Sequence, residues 1–398
     1  MSWDLIEFVL LEGENKMKDI YMDNSATTRP LPEVIESMQQ VLTQNYGNPS
    51  SLHGKGLAAE KILKKCRKNI AQKLKIKPEE IYFTSGGTES NNIAIKSTAQ
   101  TFKNRGNHLI TSKSEHPSVL NVFSTLEKEN FEVTYLSPDK NGRISLNELK
   151  NSITTRTILV SIMQVNNEIG NIQPIKEAGK IIKEQNQLTY FHVDAVQSFG
   201  KIYINPGEWN IDLLSLSGHK THGPKGIGAL YVRKGIELQP LFNGGGQETG
   251  LRSGTENTPG IAGLSAAVNH LPELNNEKDY DYKLNNLKKY LLSHIERNFS
   301  DARINTPVNS APHIVNISFP DIKGEVLVHS LEKDNIYIST GSACSSRSHK
   351  ENKILEALHI PEKYREGTIR ISLSRNNTEK EIDYLIDKLK EKIEFLNI

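Results

Sequence analysis

Short apolar runs alternate with helix-length segments between residues 81 and 232, and this alternation restricts the fold more than any other feature. The runs at 81–83, 108–111, 132–136, 158–163, 190–193, 213–216 and 227–232 read as strands. Between many of them lie segments such as 117–129 and 174–185, whose length suits a helix. Strands separated by helices imply a wound, mostly parallel sheet and an α/β class. In such sheets ligands bind beyond the C-terminal strand ends. Most of the chemically notable residues follow one of these runs.

The pattern changes after a polar stretch at 269–281. Residues 313–319 read as a strand, 323–334 as a helix and 368–373 as a strand. A last amphipathic helix carries Ile382, Leu385, Ile386, Leu389 and Ile393 on one face. This suggests a smaller α+β domain, and 398 residues are enough for two or three domains. With 49 Lys and Arg against 47 Asp and Glu, the net charge of +2 makes no electrostatic case for nucleic acid. The basic run at 61–68 alternates with Ile62, Leu63, Cys66 and Ile70, so its lysines read as the solvated face of a helix and Cys66 as packing. Two cysteines cannot build a disulfide framework. No run approaches the roughly 18 apolar residues of a membrane span. Residues 1–16 carry Asp4, Glu7 and Glu12 and lack a basic leader region and a cleavage site. The chain reads as soluble and cytoplasmic, with no membrane contact, no metal site and an N-terminal extension ahead of Met17.

Five segments carry the chemistry. Lys220 follows the run 212–216 in a Ser-Gly-His-Lys turn before a Gly/Pro-rich loop. A partly desolvated amine held there suits a Schiff base with an aldehyde cofactor, although a solvated loop lysine is the bland alternative. Residues 84–90, Thr-Ser-Gly-Gly-Thr-Glu-Ser, follow a strand and open a helix, as an anion cradle does and as an ordinary capped turn also does. Asp194, with Gln197 just after it, ends a hydrophobic run, where a carboxylate needs a partner such as a protonated pyridine nitrogen or a helix amide. Gln197 either donates to a ring hydroxyl or lies on a helix surface. His116 precedes a Pro-started helix and suits ring stacking and proton shuttling, or a structural role. Cys344 sits among Gly341, Ser342, Ala343, Ser345 and Ser346, with Arg347, His349, Lys350 and Lys353 downstream. Those cations would lower a nearby thiol pKa, whereas most free cysteines are inert.

Taken together, these motifs resemble one family, the pyridoxal-phosphate-dependent cysteine desulfurases of the NifS/IscS group, within the class V aminotransferases. The likeness runs from about Asp19 to about Leu396. It is carried by residues 21–28, 47–51, 84–90, 115–116, 165–170, 192–197, 217–226, 244–248, 252–255, 341–344 and 368–375. The Gly-Ser-Ala-Cys form of the cysteine loop resembles the NifS/IscS branch and not the SufS branch. The resemblance implies the PLP-dependent transferase fold (fold type I). Its large cofactor domain would span 30–275, and its small domain would combine 17–29 with 276–398 and carry the cysteine loop.

The resemblance also implies roles. Lys220 would hold pyridoxal 5'-phosphate and remove the substrate α-proton. Thr88, the Gly87 backbone, Ser217 and His219 would bind the phosphate, and Thr255 would reach the phosphate bound in a partner subunit of a homodimer. Asp194 would pair the pyridine nitrogen, Gln197 the ring oxygen, and His116 would stack on the ring and shuttle protons. Asn167 and Arg370 would hold the carboxylate of L-cysteine. Cys344 would take the sulfur as a persulfide, release L-alanine, and pass the sulfur to an acceptor protein for iron–sulfur cluster assembly or tRNA or cofactor thiolation. Gly86-Gly87 stands where relatives often have Gly-Ala, a mild departure. Rival readings are a selenocysteine lyase or sulfinate-processing enzyme on the same scaffold, or a catalytically silent dimer. The last is disfavoured by intact Lys220, Asp194 and Cys344.

Overall fold

A computed structural model describes residues 19–341, 355 and 358–396. In chain order its strands are β1 (Ile20–Tyr21), β2 (Ile81–Thr84), β3 (His108–Ser112), β4 (Glu132–Leu136), β5 (Thr157–Met163), β6 (Tyr190–Asp194) and β7 (Leu213–Ser217). They continue as β8 (Gly228–Val232), β9 (Arg303–Ile304), β10 (Ile314–Ser318), β11 (Ile336–Tyr337), β12 (Ser339–Thr340) and β13 (Thr368–Ser372). Seven of them form one sheet in the order β2-β8-β7-β6-β5-β3-β4. The pairs from β7 through β6, β5 and β3 to β4 are parallel. Helices Pro117–Lys128 and Ile175–Gln185 make the crossovers that parallel strands need. Strand β8 runs antiparallel to both β7 and β2. Its only connection from β7 is residues 218–227, which carry no crossover helix, so the chain turns straight back.

The inner strands β3, β5 and β7 are buried along their whole length and mostly apolar, because helices cover both faces of the sheet, whereas the edge strand β4 buries only Leu136. Leu159, Leu109 and Leu213 pack in one core cluster with Phe123, while their neighbours Val160, Ile110 and Leu214 pack in another with Ile70 and Phe191. Successive side chains of a strand point to opposite faces, so each such pair fills both cores. Helix Gly54–Leu74 lies on the second face, burying Leu63, Cys66 and Ile70. Lys61, Lys64, Lys65 and Lys68 are exposed on its outer side.

A second, antiparallel sheet has the order β12-β13-β10-β9. Helices Tyr282–Asn298, Gly324–Glu332 and Glu379–Leu396 pack against it through Leu287, Leu291, Leu331, Leu385 and Leu389, a core separate from the first two. Strand β1 pairs with β11, and the Ser372 amide donates to the Met22 carbonyl at 2.7 Å, so the start of the described chain joins this second layer. The two-residue strands β1, β9, β11 and β12 carry no periodic signal and escaped the sequence reading. Among the described residues no helix is long and apolar enough to cross a membrane.

Candidate active site

Strand β2 ends at Thr84, and the chain turns into a helix at Gly87. The helical stretch Gly87–Asn92 continues through a π turn at Ile93–Ser97 and a helix at Thr98–Phe102. Gly86 is its N-cap, so Thr88 lies inside the first turn and is not the cap. Gly86 has φ +153, a conformation that side chains rarely adopt, and a Cβ on Gly87 would come within 2.6 Å of Val196 Cγ2. Gly86 gives the turn a conformation open mainly to glycine, and a side chain at 87 would require Val196 to shift. First-turn amides of a helix have no intrahelical acceptor and attract an anion.

Facing this turn is a cavity of about 380 Å³ at the C-terminal ends of β5, β6 and β7. Among its lining residues are Gly87, Thr88, His116, Asn167, Asp194, Gln197, Ser217, His219, Lys220 and Arg370. Lys220 reaches it from a short 3-10 turn after β7 and donates through Nζ to the carbonyls of Ser25 and, at 2.8 Å, Ala26. Asp194 is buried at the end of β6, with Oδ1 accepting from the Val196 amide at 2.9 Å and Oδ2 from Asn91 Nδ2 at 2.8 Å. Gln197 is buried in the irregular segment after β6; its amide nitrogen donates to the Ser25 carbonyl at 3.0 Å. No helix follows Asp194 directly, so neither a helix cap nor a helix surface describes these two residues. His219 Nδ1 lies 3.2 Å from Thr27 Oγ1, and burial, with the Lys220 charge next, pushes this ring down to about 4.

His116 caps helix Pro117–Lys128, its Nδ1 accepting from the Ser118 amide at 3.1 Å and lying 2.8 Å from Ser118 Oγ. Burial lowers its pKa, the Lys220 charge adds to that, and the Asp194 carboxylate opposes it. Beside it the Glu115 carboxyl is buried against the Met163 amide, at 2.9 and 3.0 Å, and Ser112 Oγ. Burial, with the Asp194 charge adding, pushes Glu115 up to about 8.

Arg370 enters from β13 of the second sheet. It donates through Nη1 to the Asn167 carbonyl and through Nη2 to Asp23 Oδ1, both at 2.9 Å. Thr255 does not line the cavity and is exposed on the loop 244–257. That loop is tied to the glycine turn on its own chain. Arg252 pairs with Glu89 at 3.0 Å, and Glu248 takes a fork from Arg67 at 2.7 and 2.9 Å and the Phe83 amide at 2.9 Å. Cys344 lies outside the described residues. Cys66 is buried in its helix, and burial pushes its thiol pKa up.

Four buried atoms of residues that line this cavity, Ser25 Oγ, Asn91 Oδ1, Ser217 Oγ and Arg370 Nε, have no partner among the described residues. Buried polar groups are almost always satisfied, so such a cluster calls for a polar ligand. An amine, a buried carboxylate, a glycine turn at a helix start and a guanidinium suit an aldehyde-bearing, phosphorylated pyridine ring and a carboxylate substrate. The residues present fit pyridoxal 5'-phosphate. Among the described residues no cluster of metal-ligating side chains occurs.

Sequence reasoning missed four contributors. Asn91 and Ser118 connect Asp194 with His116, and Asp23 holds the Arg370 fork. The fourth is Lys201, whose buried amine donates to the carbonyls of Lys220 at 2.9 Å and Gln197 at 3.4 Å. Asn91 offered a usable signal, a polar residue on the inner side of the helix after the glycine turn.

The family model "Aminotransferase class-V" matches residues 20–385. A cysteine desulfurase IscS of Clostridium botulinum is 46% identical over 375 residues, covering 94% of each chain. A cysteine desulfurase IscS of Methanosarcina thermophila is 45% identical over 394 residues, covering 97% of this chain and 95% of its own. A solved NifS-like protein superposes with a TM-score of 0.87 at 39% identity, covering 95% of this chain and all of its own. A structure described as SspA in complex with cysteine superposes with a TM-score of 0.79 at 39% identity, covering 90% of this chain and all of its own. The chain belongs to the class-V aminotransferase family, whose members use pyridoxal 5'-phosphate.

Proposed function

We propose that the protein is a pyridoxal-phosphate-dependent cysteine desulfurase that converts L-cysteine to L-alanine and keeps the sulfur as a persulfide on Cys344. The observation that carries this is the convergence of Lys220, Asp194 and Arg370 on one cavity, in a chain 46% identical to a cysteine desulfurase. Bound there, the cofactor supplies an aldehyde and an electron sink. Lys220 supplies the amine that links to it and later takes the substrate α-proton at Nζ. The carbonyls of Ser25 and Ala26 orient that amine. Asp194, fixed by Asn91 and the Val196 amide, holds a proton-bearing ring nitrogen. Gln197 would serve the ring oxygen, and His116 would cover the ring. Gly87, Thr88, Ser217 and His219 bind the phosphate.

Arg370 and Asn167 take the substrate carboxylate. The Asp23 pairing leaves Arg370 Nε without a protein partner among the described residues. Ser339 of β12 lies opposite Arg370 of β13 in the sheet register. The described chain leaves this pair at Gly341, whose amide donates to the Thr368 carbonyl at 2.8 Å. Cys344 follows three positions on in the sequence. The substrate sulfur then passes from its β-carbon to the Cys344 thiolate, and a sulfur-acceptor protein receives it in turn.

The same reading makes the protein a homodimer of the cytoplasm, with Thr255 completing the partner's phosphate site. Support comes from large apolar side chains left exposed along one stretch, Ile35 (58%), Leu42 (60%), Tyr46 (68%) and Leu57 (49%). Exposed large apolar side chains of this kind suit burial against a second copy. The division into a large domain, 30–275, and a small domain, 17–29 with 276–398, is supported by their separate sheets and cores.

The test is a single incubation with L-cysteine. Alanine release together with one added sulfur on the peptide holding Cys344, and none on that holding Cys66, is the expected result. Alanine production without sulfur on Cys344 would remove the persulfide step. No alanine at all from cofactor-loaded protein would remove the desulfurase reading.

A further inference from the structure

His116, Ser118, Asn91 and Asp194 form one hydrogen-bonded chain, and the chemistry of each atom sets the direction of its donors. Asn91 Nδ2 carries two hydrogens and spends them on Asp194 Oδ2, at 2.8 Å, and Ser118 Oγ, at 2.9 Å. Ser118 Oγ accepts there, so its own hydrogen is free for His116 Nδ1, at 2.8 Å. The Ser118 amide also points at Nδ1, at 3.1 Å. An amide nitrogen can only donate, so Nδ1 bears the lone pair and the ring proton sits on Nε2. Nε2 has no protein partner among the described residues, and the ring lines the cavity.

We infer that Ser118 and Asn91 are positioning residues that hold His116 as a neutral ring with its proton on Nε2 and tie that ring to the Asp194 carboxylate. The inference rests on the functional reading only in taking His116 to face the cofactor. So held, the ring is a hydrogen-bond donor toward the cavity and not a base, because its one lone pair is already engaged at Nδ1. Adding a proton at Nδ1 would oppose two donors at once. The charged groups around the ring are Asp194 at the end of β6 and Lys220 after β7, with the buried Glu115 carboxyl adjacent in sequence. Proton removal from the substrate α-carbon therefore falls to Lys220, and His116 contributes orientation and a hydrogen bond.

The experiment is nitrogen NMR of protein carrying ¹⁵N in its histidine rings, with His116 assigned by difference from His116→Gln. Spectra are recorded on both cofactor-free and cofactor-loaded protein. The expected result is a bare Nδ1 and a protonated Nε2 through the pH range in which a free imidazole charges. Ser118→Ala removes one of the two donors at Nδ1 and keeps the amide. The tautomer should persist, and the ring's titration midpoint should rise by about 0.7 pH unit, the equivalent of one ordinary hydrogen bond. Ser118→Thr should restore the original midpoint, and Asn91→Leu should move it in the same direction as Ser118→Ala. A proton on Nδ1 in the unaltered protein overturns the inference. So does an unchanged midpoint in Ser118→Ala, even with a lowered melting temperature, since that is what a merely structural serine would show. If Ser118→Ala does not fold, the tautomer of the unaltered protein decides alone. A protein that forms no visible cofactor band ends the functional reading, whereas the tautomer is still read on the cofactor-free form.

Discussion

Lys201→Met removes a buried cation that touches the catalytic lysine, and its effect on stability has a calculable pH dependence. Lys201 is 9% exposed, and its amine donates to the main-chain carbonyls of Lys220 and Gln197. Burial holds it down to about 7 from the ordinary 10.5; the Lys220 charge adds to this, and Asp281 opposes it. Between those two values the unfolded chain keeps the proton and the folded chain releases it. Folding therefore releases a proton there, and stability rises with pH. Each unit of pH in that window is worth up to about 1.4 kcal/mol. From about pH 7 to about pH 9 the unaltered protein should gain roughly 2 kcal/mol relative to Lys201→Met. Below about pH 7 the difference should be flat, because both states then hold the proton.

The offset at neutral pH is a poor readout. Relief of the buried charge is opposed by two carbonyls left without a donor, each worth on the order of 1–3 kcal/mol. The slope is the assay: urea unfolding of both proteins at several pH values and one fixed protein concentration. Lys183 and Lys288 are also pushed down to about 7 by burial, but they are present in both proteins and cancel in the difference. A stability difference independent of pH between about 7 and about 9 would refute the reasoning, for it would mean that Lys201 titrates like a solvated amine. Turnover of L-cysteine should fall by roughly tenfold, since the Lys220 main chain loses its donor.

Lys220→Ala should abolish both turnover and the visible band, on the order of 400–430 nm, that a Schiff base of the cofactor gives; full activity in that variant would sink the assignment. Cys344→Ser should still bind substrate and change the visible spectrum, while alanine release falls by orders of magnitude. Cys66→Ser should leave turnover unchanged and lower stability by about 1 kcal/mol, because it places a hydroxyl in a packed helix face; denaturant unfolding checks it. Arg370→Lys keeps the charge and loses the fork, so KM for L-cysteine should rise by about tenfold or more in steady-state kinetics. An unchanged KM would move the carboxylate site elsewhere.

Much of this molecule was legible in one dimension. The strands β2 to β8 announced themselves as mainly apolar runs because most of their positions are buried between helices on both faces of the sheet. The placement of Lys220, Asp194 and His116 after strands followed from the same alternation, since a wound sheet gathers its C-terminal strand ends on one edge. Cys66 was legible as packing because its neighbours Leu63 and Ile70 keep helical period and are buried with it.

What the tertiary structure alone decided was long-range. The reversed strand β8 required knowing that 218–227 turns back without a crossover. The pairing of Asp23 with Arg370 joins residues 347 positions apart, and no local pattern encodes it. Lys201 reads in sequence as an ordinary lysine after a glycine; only folding buries its amine against the Lys220 carbonyl. Likewise Asn91 and Ser118 lie on different helices, and the bridge they make from Asp194 to His116 depends on how both pack against the strand ends. Hydrophobic period and turn chemistry are properties of neighbouring residues and survive in sequence. Hydrogen-bond direction, burial of a charge and the proton position on a ring arise from partners that only the folded chain brings within 3 Å or so of one another.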